Sequence, residues 1–185
     1  MIEVEVKVKV KNREQTEKEI PNLGFQKSSL LKETDTYFDS VFREKDTALR
    51  VRTCENLQEQ TKEHFLTFKG PKLDQVSMTR KELEMKIDNA ETGKEILAAL
   101  GYVPVVPVVK TRQLYRKDQM TLCLDEVKHL GDFMELELLV SEEKERESAL
   151  EEIVGVLGQL GYKKDEIIRT SYLSMLQKLK GFGND

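Results

Sequence analysis

The chain has 185 residues, 35% of them charged and 38% hydrophobic, where an average soluble domain is roughly a quarter charged. Its 34 acids and 30 bases nearly cancel to a net charge of −4, and without a basic excess a general nucleic-acid binder is excluded. Cys54 and Cys123 stand far apart and form no Cys-x-x-Cys pair, so neither a thiol redox motif nor a zinc site is indicated.

The length suits one domain over residues 1–185, with room for a sizeable core. The longest near-apolar stretch, residues 102–109, falls far short of the ~20 residues that span a bilayer. The chain opens directly in a strand pattern instead of a basic segment followed by an apolar one. A cytoplasmic protein with no membrane association is expected.

Residues 1–10 alternate apolar and charged without a break. On a strand, Ile2, Val4, Val6, Val8 and Val10 form one face, and Glu3, Glu5, Lys7 and Lys9 the other. Asn12 is placed to cap a helix over residues 13–20 that stops at Pro21. Residues 25–39 read as one long or two short strands, and residues 48–52 as a third. The polar residues 53–63 read as a long hairpin loop, and residues 65–69 as a strand stopped by Gly70-Pro71.

Residues 79–88 alternate again, and Leu83, Met85 and Ile87 are expected to bury that strand's apolar face. Met78, Met85 and Met134 read as core filling. A helix over residues 91–100 ends at Gly101. Strands follow around residues 105–117, 120–127 and 133–140, then helices at about 144–160 and 167–179. Pro104 and Pro107 demote the start of the first of these strands to an edge or a bulge. Leu-Gly-aromatic recurs at Gly24, Gly101 and Gly161, which predicts a repeated helix C-cap. About eight strands result, enough to close a barrel around a small ligand.

Charged pairs at i, i+2 return from strand to strand. Glu3, Glu5 and Lys7 share a face, as do Arg50 with Arg52, and Arg80 with Glu82 and Glu84. Lys69 adds to them, and Lys110, Arg112, Asp125, Glu135 and Glu137 follow in the second half. Alternation alone leaves two arrangements open, a solvated outer face or a charged lining. Clustering by sign favours the lining, because protein surfaces usually intersperse their charges. Such a lining suits a cavity in which acids hold Mg²⁺ or Mn²⁺ while bases neutralise phosphate oxygens. His64 and His129 read as surface residues, and Gly181-Phe182-Gly183 follows a helix and so forms no phosphate loop.

These motifs, in this order, resemble the CYTH family, the triphosphate tunnel metalloenzymes. That family unites class IV adenylyl cyclases with thiamine triphosphatases and inorganic tripolyphosphatases. The resemblance begins with Glu3-Val4-Glu5-Val6-Lys7, the Glu-x-Glu-x-Lys element for which the family is known. It continues through Asp35-Thr36-Tyr37-Phe38-Asp39, Leu49-Arg50-Val51-Arg52, Leu66-Thr67-Phe68-Lys69 and Arg80-Lys81-Glu82-Leu83-Glu84. In the second half it takes in Lys110-Thr111-Arg112, Leu124-Asp125-Glu126-Val127 and Leu130-Gly131-Asp132-Phe133-Met134-Glu135-Leu136-Glu137, and Ser171-Tyr172 closes it.

The resemblance implies an α+β fold: an eight-stranded antiparallel barrel with the charged face inward and helices packed outside. It marks Glu3, Glu5, Asp125, Glu135 and Glu137 as metal-facing acids for Mg²⁺ or Mn²⁺. Lys7, Arg50, Arg52, Lys69, Arg80, Lys110, Arg112 and Arg169 become the phosphate grip. Glu82 and Glu84 are open to a metal role or to salt bridges with neighbouring cations. The implied partner is a small triphosphate (ATP, tripolyphosphate or thiamine triphosphate), without nucleic acid, and a homodimer is one assembly open to the chain.

The segments at residues 66–71, 109–115 and 169–172 resemble the cyclase branch, so ATP conversion to cyclic AMP and pyrophosphate is the expected reaction. Hydrolysis assisted by Tyr37 and Lys69, or binding without turnover, are the alternatives. Nothing in the sequence marks an adenine pocket.

Overall fold

The computed structural model describes residues 2–39, 46–73 and 77–181. Met1 of the expected first strand and Phe182-Gly183 lie outside the described residues. The strands are β1 (Ile2–Lys9), β2 (Gln26–Asp39), β3 (Ala48–Asn56), β4 (Thr61–Lys72) and β5 (Arg80–Ile87), then β6 (Val103–Pro104), β7 (Val108–Lys117), β8 (Met120–Val127) and β9 (Gly131–Val140). The helices are α1 (Arg13–Glu19), α2 (Ala90–Ala99), α3 (Arg146–Gln159) and α4 (Tyr172–Gly181).

The strand order β3-β4-β5-β1-β9-β8-β7-β2 closes on itself because β2 also pairs with β3. Every pairing is antiparallel, and the two-residue β6 only extends the end of β2. The fold is thus a closed eight-stranded antiparallel barrel, α+β, with four helices outside. Among the described residues no helix is long and apolar enough to cross a membrane.

The alternation of β1 dictates where the core lies. Val4, Val6 and Val8 are fully buried, and they pack outside the barrel against Ile153 and Leu157 of α3, with Leu122, Leu136 and Met134 from the neighbouring strands. Glu5 and Lys7 are also buried, on the inner face. Both faces are therefore enclosed, and the apolar core sits between barrel and helices, leaving the interior to charge.

The β1–β5 seam is short: among the described residues only Ile2↔Lys81 and Glu3↔Arg80 pair. Farther along β1, the Glu5 carbonyl accepts from Met78 N–H at 2.9 Å and the Lys7 carbonyl from Ile168 N–H at 2.7 Å. The segments before β5 and α4 thereby close the gap and carry Arg169 to the tunnel.

Local signals hold at several points. Asn12 caps α1, its Oδ1 accepting from Gln15 N–H at 3.1 Å. Gly24, Gly101 and Gly161 take φ of 85°, 89° and 78°, the left-handed turn that the recurring Leu-Gly-aromatic pattern requires.

Other expectations need correction. The polar stretch at 53–63 is mostly strand: Thr53↔His64 through Asn56↔Thr61 are in register, leaving only a short turn. Its polarity is misleading because one face of β3 and β4 lines a polar interior. Strand β4 does not stop at Gly70-Pro71 but shifts register between Lys69 and Lys72, a bulge that accommodates the proline. The last helix starts at Tyr172, after an extended segment whose Ile168 N–H is already bonded to β1, with Ser171 Oγ accepting from Ser174 N–H at 3.1 Å. Leu83 and Met85 are 58% and 59% exposed: the apolar face of β5 looks outward but no helix covers it there.

Candidate active site

The barrel encloses a cavity of about 1140 Å³, somewhat above the ~300–1,000 Å³ typical of small-molecule pockets. Period-two alternation aims the predicted charged residues of β1, β3, β4, β5, β7 and β9 into it, with Arg169 joining from the segment before α4. Asp125 is wholly buried in the wall behind.

The acids divide into two environments. Glu3, Glu5 and Glu137 converge from the adjacent strands β1 and β9, each offering an oxygen within 4.8 Å of the others. Burial raises the pKa of Glu5, and the Glu135 charge adds to it against Lys7. Glu137 is pushed up to about 8, first by burial, against the opposing Arg112 and with Glu3, Glu135 and Glu5 adding to it. Three crowded, desolvated carboxylates are a donor set that fits a hard divalent cation, which takes oxygen ligands and relieves their repulsion.

The trio also has cations near it, with Lys7 at 3.6 Å from Glu5 and Arg112 at 3.5 Å from Glu137, but Glu135 and Asp125 are held more tightly by theirs. Glu135 meets Lys7 Nζ at 3.0 Å and also accepts from Arg112. Although burial works the other way, Lys7, Arg112 and Lys110 hold it well below the ordinary carboxylate range. Asp125 accepts two parallel bonds from Arg112, each 2.6 Å, and one from the Tyr172 hydroxyl at 3.0 Å, with Lys110 Nζ at 3.3 Å. The Tyr172 ring lies under Lys7 Nζ, 4.3 Å from its centroid, so α4 plugs this end of the tunnel.

Two acids that received no role from the sequence complete the opposite wall. Asp35 accepts from Arg52 Nε at 2.6 Å and Nη2 at 2.8 Å, with Arg50 at 3.4 Å. Glu33 meets Arg52 at 3.0 Å and Lys110 at 3.2 Å. Both are buried, and the neighbouring cations, Arg52 foremost, overcome that burial to keep them ionised. They orient the cations as Asp125 does. Their signal was present: Glu33-Thr34-Asp35 has the same i, i+2 spacing as the other charged pairs.

Lys69 bridges Glu3 at 2.7 Å and Glu82 at 2.9 Å. Burial opposes its charge, but Glu3 and Glu5 raise its pKa, and it stays an ammonium. Glu82 and Glu84 both face Arg50 at 3.8 Å, and Glu84 accepts from Thr67. Arg80 donates to the carbonyls of Asp46 and Gly70, and Arg169 Nε reaches the Ser77 carbonyl at 3.4 Å. Tyr37 lines the cavity across from Arg50 in the β2–β3 register. The buried Nε of Arg50 has no hydrogen-bond partner among the described residues.

A cation held by the acid trio would bind in a pH-dependent way. An unfolded glutamate titrates near 4.5 while Glu137 titrates near 8, so between those values the folded protein holds a proton the unfolded chain has released. Ligand-free stability should therefore fall as pH rises through that window. A cation must displace the same proton. Mn²⁺ affinity is expected to climb with pH, by about tenfold per unit for one displaced proton, and to level off above about pH 8. Calorimetric titrations at pH 6, 7, 8 and 9 check this, and a flat profile would contradict it.

The CYTH domain family model matches residues 1–172. A Methanocaldococcus jannaschii protein named "Putative adenylate cyclase MJ0240" is 39% identical over 178 residues, covering 95% of this chain and 98% of that one. The solved structure of the PH1819 protein from Pyrococcus horikoshii is 35% identical, covers 96% of this chain and 99% of its own, and superposes with a TM-score of 0.87. A structure from Vibrio parahaemolyticus, 20% identical over 96% of this chain and 98% of its own, has a TM-score of 0.81 and shares the fold.

Proposed function

The chain belongs to the CYTH domain family, and we propose that it is a metal-dependent enzyme that binds a triphosphate inside the tunnel and cyclises ATP to cyclic AMP. The observation that carries this reading is the sorting of charge within one cavity. Glu3, Glu5 and Glu137 converge within 4.8 Å, while Arg50, Arg52, Lys110 and Arg112 project from strands across the barrel. The unpartnered Arg50 Nε supplies a desolvated donor that a phosphate oxygen would satisfy.

Glu3, Glu5 and Glu137 are the residues that would hold Mg²⁺ or Mn²⁺, with Glu135 and Asp125 as deeper acids of the same site. Such an ion would supply positive charge to phosphate oxygens as pyrophosphate leaves. Everything else falls to the chain. Arg52 and Arg112 are each held through Nε and Nη2 by Asp35 and Asp125, which leaves Nη1 to donate to a phosphate oxygen at little reorganisation cost. Lys7, Lys69 and Lys110 contribute point charges, with Arg80 and Arg169 at the seam. Positioning and charge neutralisation of this kind make up most of phosphoryl-transfer catalysis.

Cyclisation forms a bond from the ribose 3′-oxygen to the α-phosphorus, breaks the bridge to the β-phosphate and releases a proton. The name carried by the 39% identical relative favours this reaction, as do the cyclase-like segments Leu66–Pro71, Val109–Tyr115 and Arg169–Tyr172. Water activation by Tyr37, assisted by the Lys69 ammonium, would serve a hydrolase instead.

Incubation with ATP, tripolyphosphate and thiamine triphosphate, each with Mg²⁺ and with Mn²⁺, tests the proposal. Cyclic AMP and pyrophosphate from ATP, with none from 3′-deoxy-ATP, are expected. Rapid orthophosphate release from tripolyphosphate without cyclic AMP would install the hydrolase reading, and binding without turnover a receptor.

A further inference from the structure

Charged side chains dominate the interior, yet neutral ones also line it, among them one from each of the adjacent strands β2, β3 and β4. Leu31 of β2, Cys54 of β3 and Phe65 of β4 face the cavity but belong to none of the three apolar clusters of the fold. Of the other apolar groups at the cavity wall, Val105, Tyr37 and Leu173 pack with α4 at the plugged end, while Met78 lies at the β1–β5 seam and Ala48 opposite Lys69. Phe65 and Leu31 are only partly buried. Exposing them to an aqueous tunnel forfeits stabilisation that a polar residue would not.

Their placement is specific. Phe65 is the cross-strand partner of Arg52, and Leu31 of Arg112. Residues directly opposite on one face of a sheet have Cβ atoms about 5 Å apart. Each apolar group therefore adjoins one of the two arginine forks. Beyond them stands Asn56, the partner of Leu31 across β2–β3. Its side-chain oxygen is taken by the backbone N–H groups of Gln58 and Glu59 at 3.0 and 3.1 Å, so its NH₂ is the group that can turn to a ligand. Burial pushes the Cys54 thiol up to about 11, so it stays neutral beside Glu63, its partner across β3–β4.

We infer that Leu31, Cys54, Phe65 and Asn56 form the subsite for the substrate's nucleobase, with Phe65 as the stacking platform. This rests on the triphosphate reading above and narrows it. Phosphates gripped by Arg52 and Arg112 must place the next part of the molecule against Phe65 and Leu31. A flat ring gains there by stacking and by covering apolar surface, while Asn56 offers a donor to a ring nitrogen. Tripolyphosphate has no group to put there.

Calorimetry with Mg²⁺ tests the subsite, using α,β-methylene-ATP, thiamine triphosphate and inorganic tripolyphosphate on the wild type, Phe65→Ala and Leu31→Ala. Phe65→Ala is expected to weaken the ATP analogue by roughly 5- to 100-fold, the range for losing one base–aromatic stack. Tripolyphosphate should bind within about twofold of wild type, which also certifies the fold. Leu31→Ala should show the same selectivity with a smaller loss. Equal weakening of ATP analogue and tripolyphosphate, or no weakening of either, would overturn the subsite. Tighter wild-type binding of thiamine triphosphate than of the ATP analogue would overturn the nucleobase assignment. If the wild type bound none of the three probes, the triphosphate reading would fall and the subsite with it.

Discussion

Glu5→Gln is expected to abolish turnover while raising the melting temperature of the metal-free protein. Glu5 is buried beside Glu3 and Glu137, and burial together with Glu135 already makes its charge unfavourable. The amide keeps the shape and removes that charge, so like-charge repulsion is relieved. For a chain of this size each kcal/mol recovered is worth about 2–4 °C. Activity should fall by more than the roughly 10- to 100-fold that losing an outer-shell partner costs a metal site. Thermal melts in EDTA and steady-state rates in Mn²⁺ give both readouts. Glu135→Gln should behave oppositely in the melt, because Glu135 is paired with Lys7 and Arg112, and its loss leaves buried cations uncompensated. Wild-type turnover in Glu5→Gln would exclude this acid from the site.

Arg52→Ala is expected to weaken triphosphate binding more than tenfold, about 1.4 kcal/mol, and to destabilise the fold as well. The guanidinium holds Asp35 at 2.6 and 2.8 Å and Glu33 at 3.0 Å. Removing one partner of a buried pair costs about 3–5 kcal/mol, and the low end applies because Arg50 and Lys110 remain within 3.4 Å of these acids. Arg52→Lys keeps the charge but loses the planar fork that holds Asp35, so stability and affinity should each return only in part. Urea denaturation and calorimetry separate the two effects. Unchanged triphosphate affinity in Arg52→Ala would place this strand's charges outside the grip.

Much of this was legible because strand alternation and sign clustering are local. Glu3-x-Glu5-x-Lys7 gave both the strand and the face, and Arg50-x-Arg52 and Lys110-x-Arg112 followed the same rule into the cavity. What alternation cannot supply is the identity of the neighbour. Leu83 and Met85 form an apolar face, but whether a helix covers it is decided by where α2 packs, against β3 and β4. Likewise the acids differ in how closely cations hold them: Glu137 meets other carboxylates and has Arg112 at 3.5 Å, whereas Asp125 and Glu135 accept direct bonds from Arg112 and lie beside Lys residues. That division rests on barrel register, not on spacing. The polar hairpin near Asn56 was misread for a related reason, since a strand whose inner face is polar loses the contrast by which strands are recognised.

The most direct test of the account is whether metal and triphosphate bind as one composite. Carboxylates on β1 and β9 and cations on β3 and β7 share a single cavity, so each ligand should lower the electrostatic cost of the other. Linkage makes that coupling reciprocal. Calorimetry of Mn²⁺ with and without α,β-methylene-ATP, and of the analogue with Mn²⁺ or EDTA, measures both sides. The account requires each ligand to tighten the other by the same factor, at least about tenfold, and requires Glu5→Gln to erase the coupling. Equal analogue affinity in Mn²⁺ and in EDTA would contradict it.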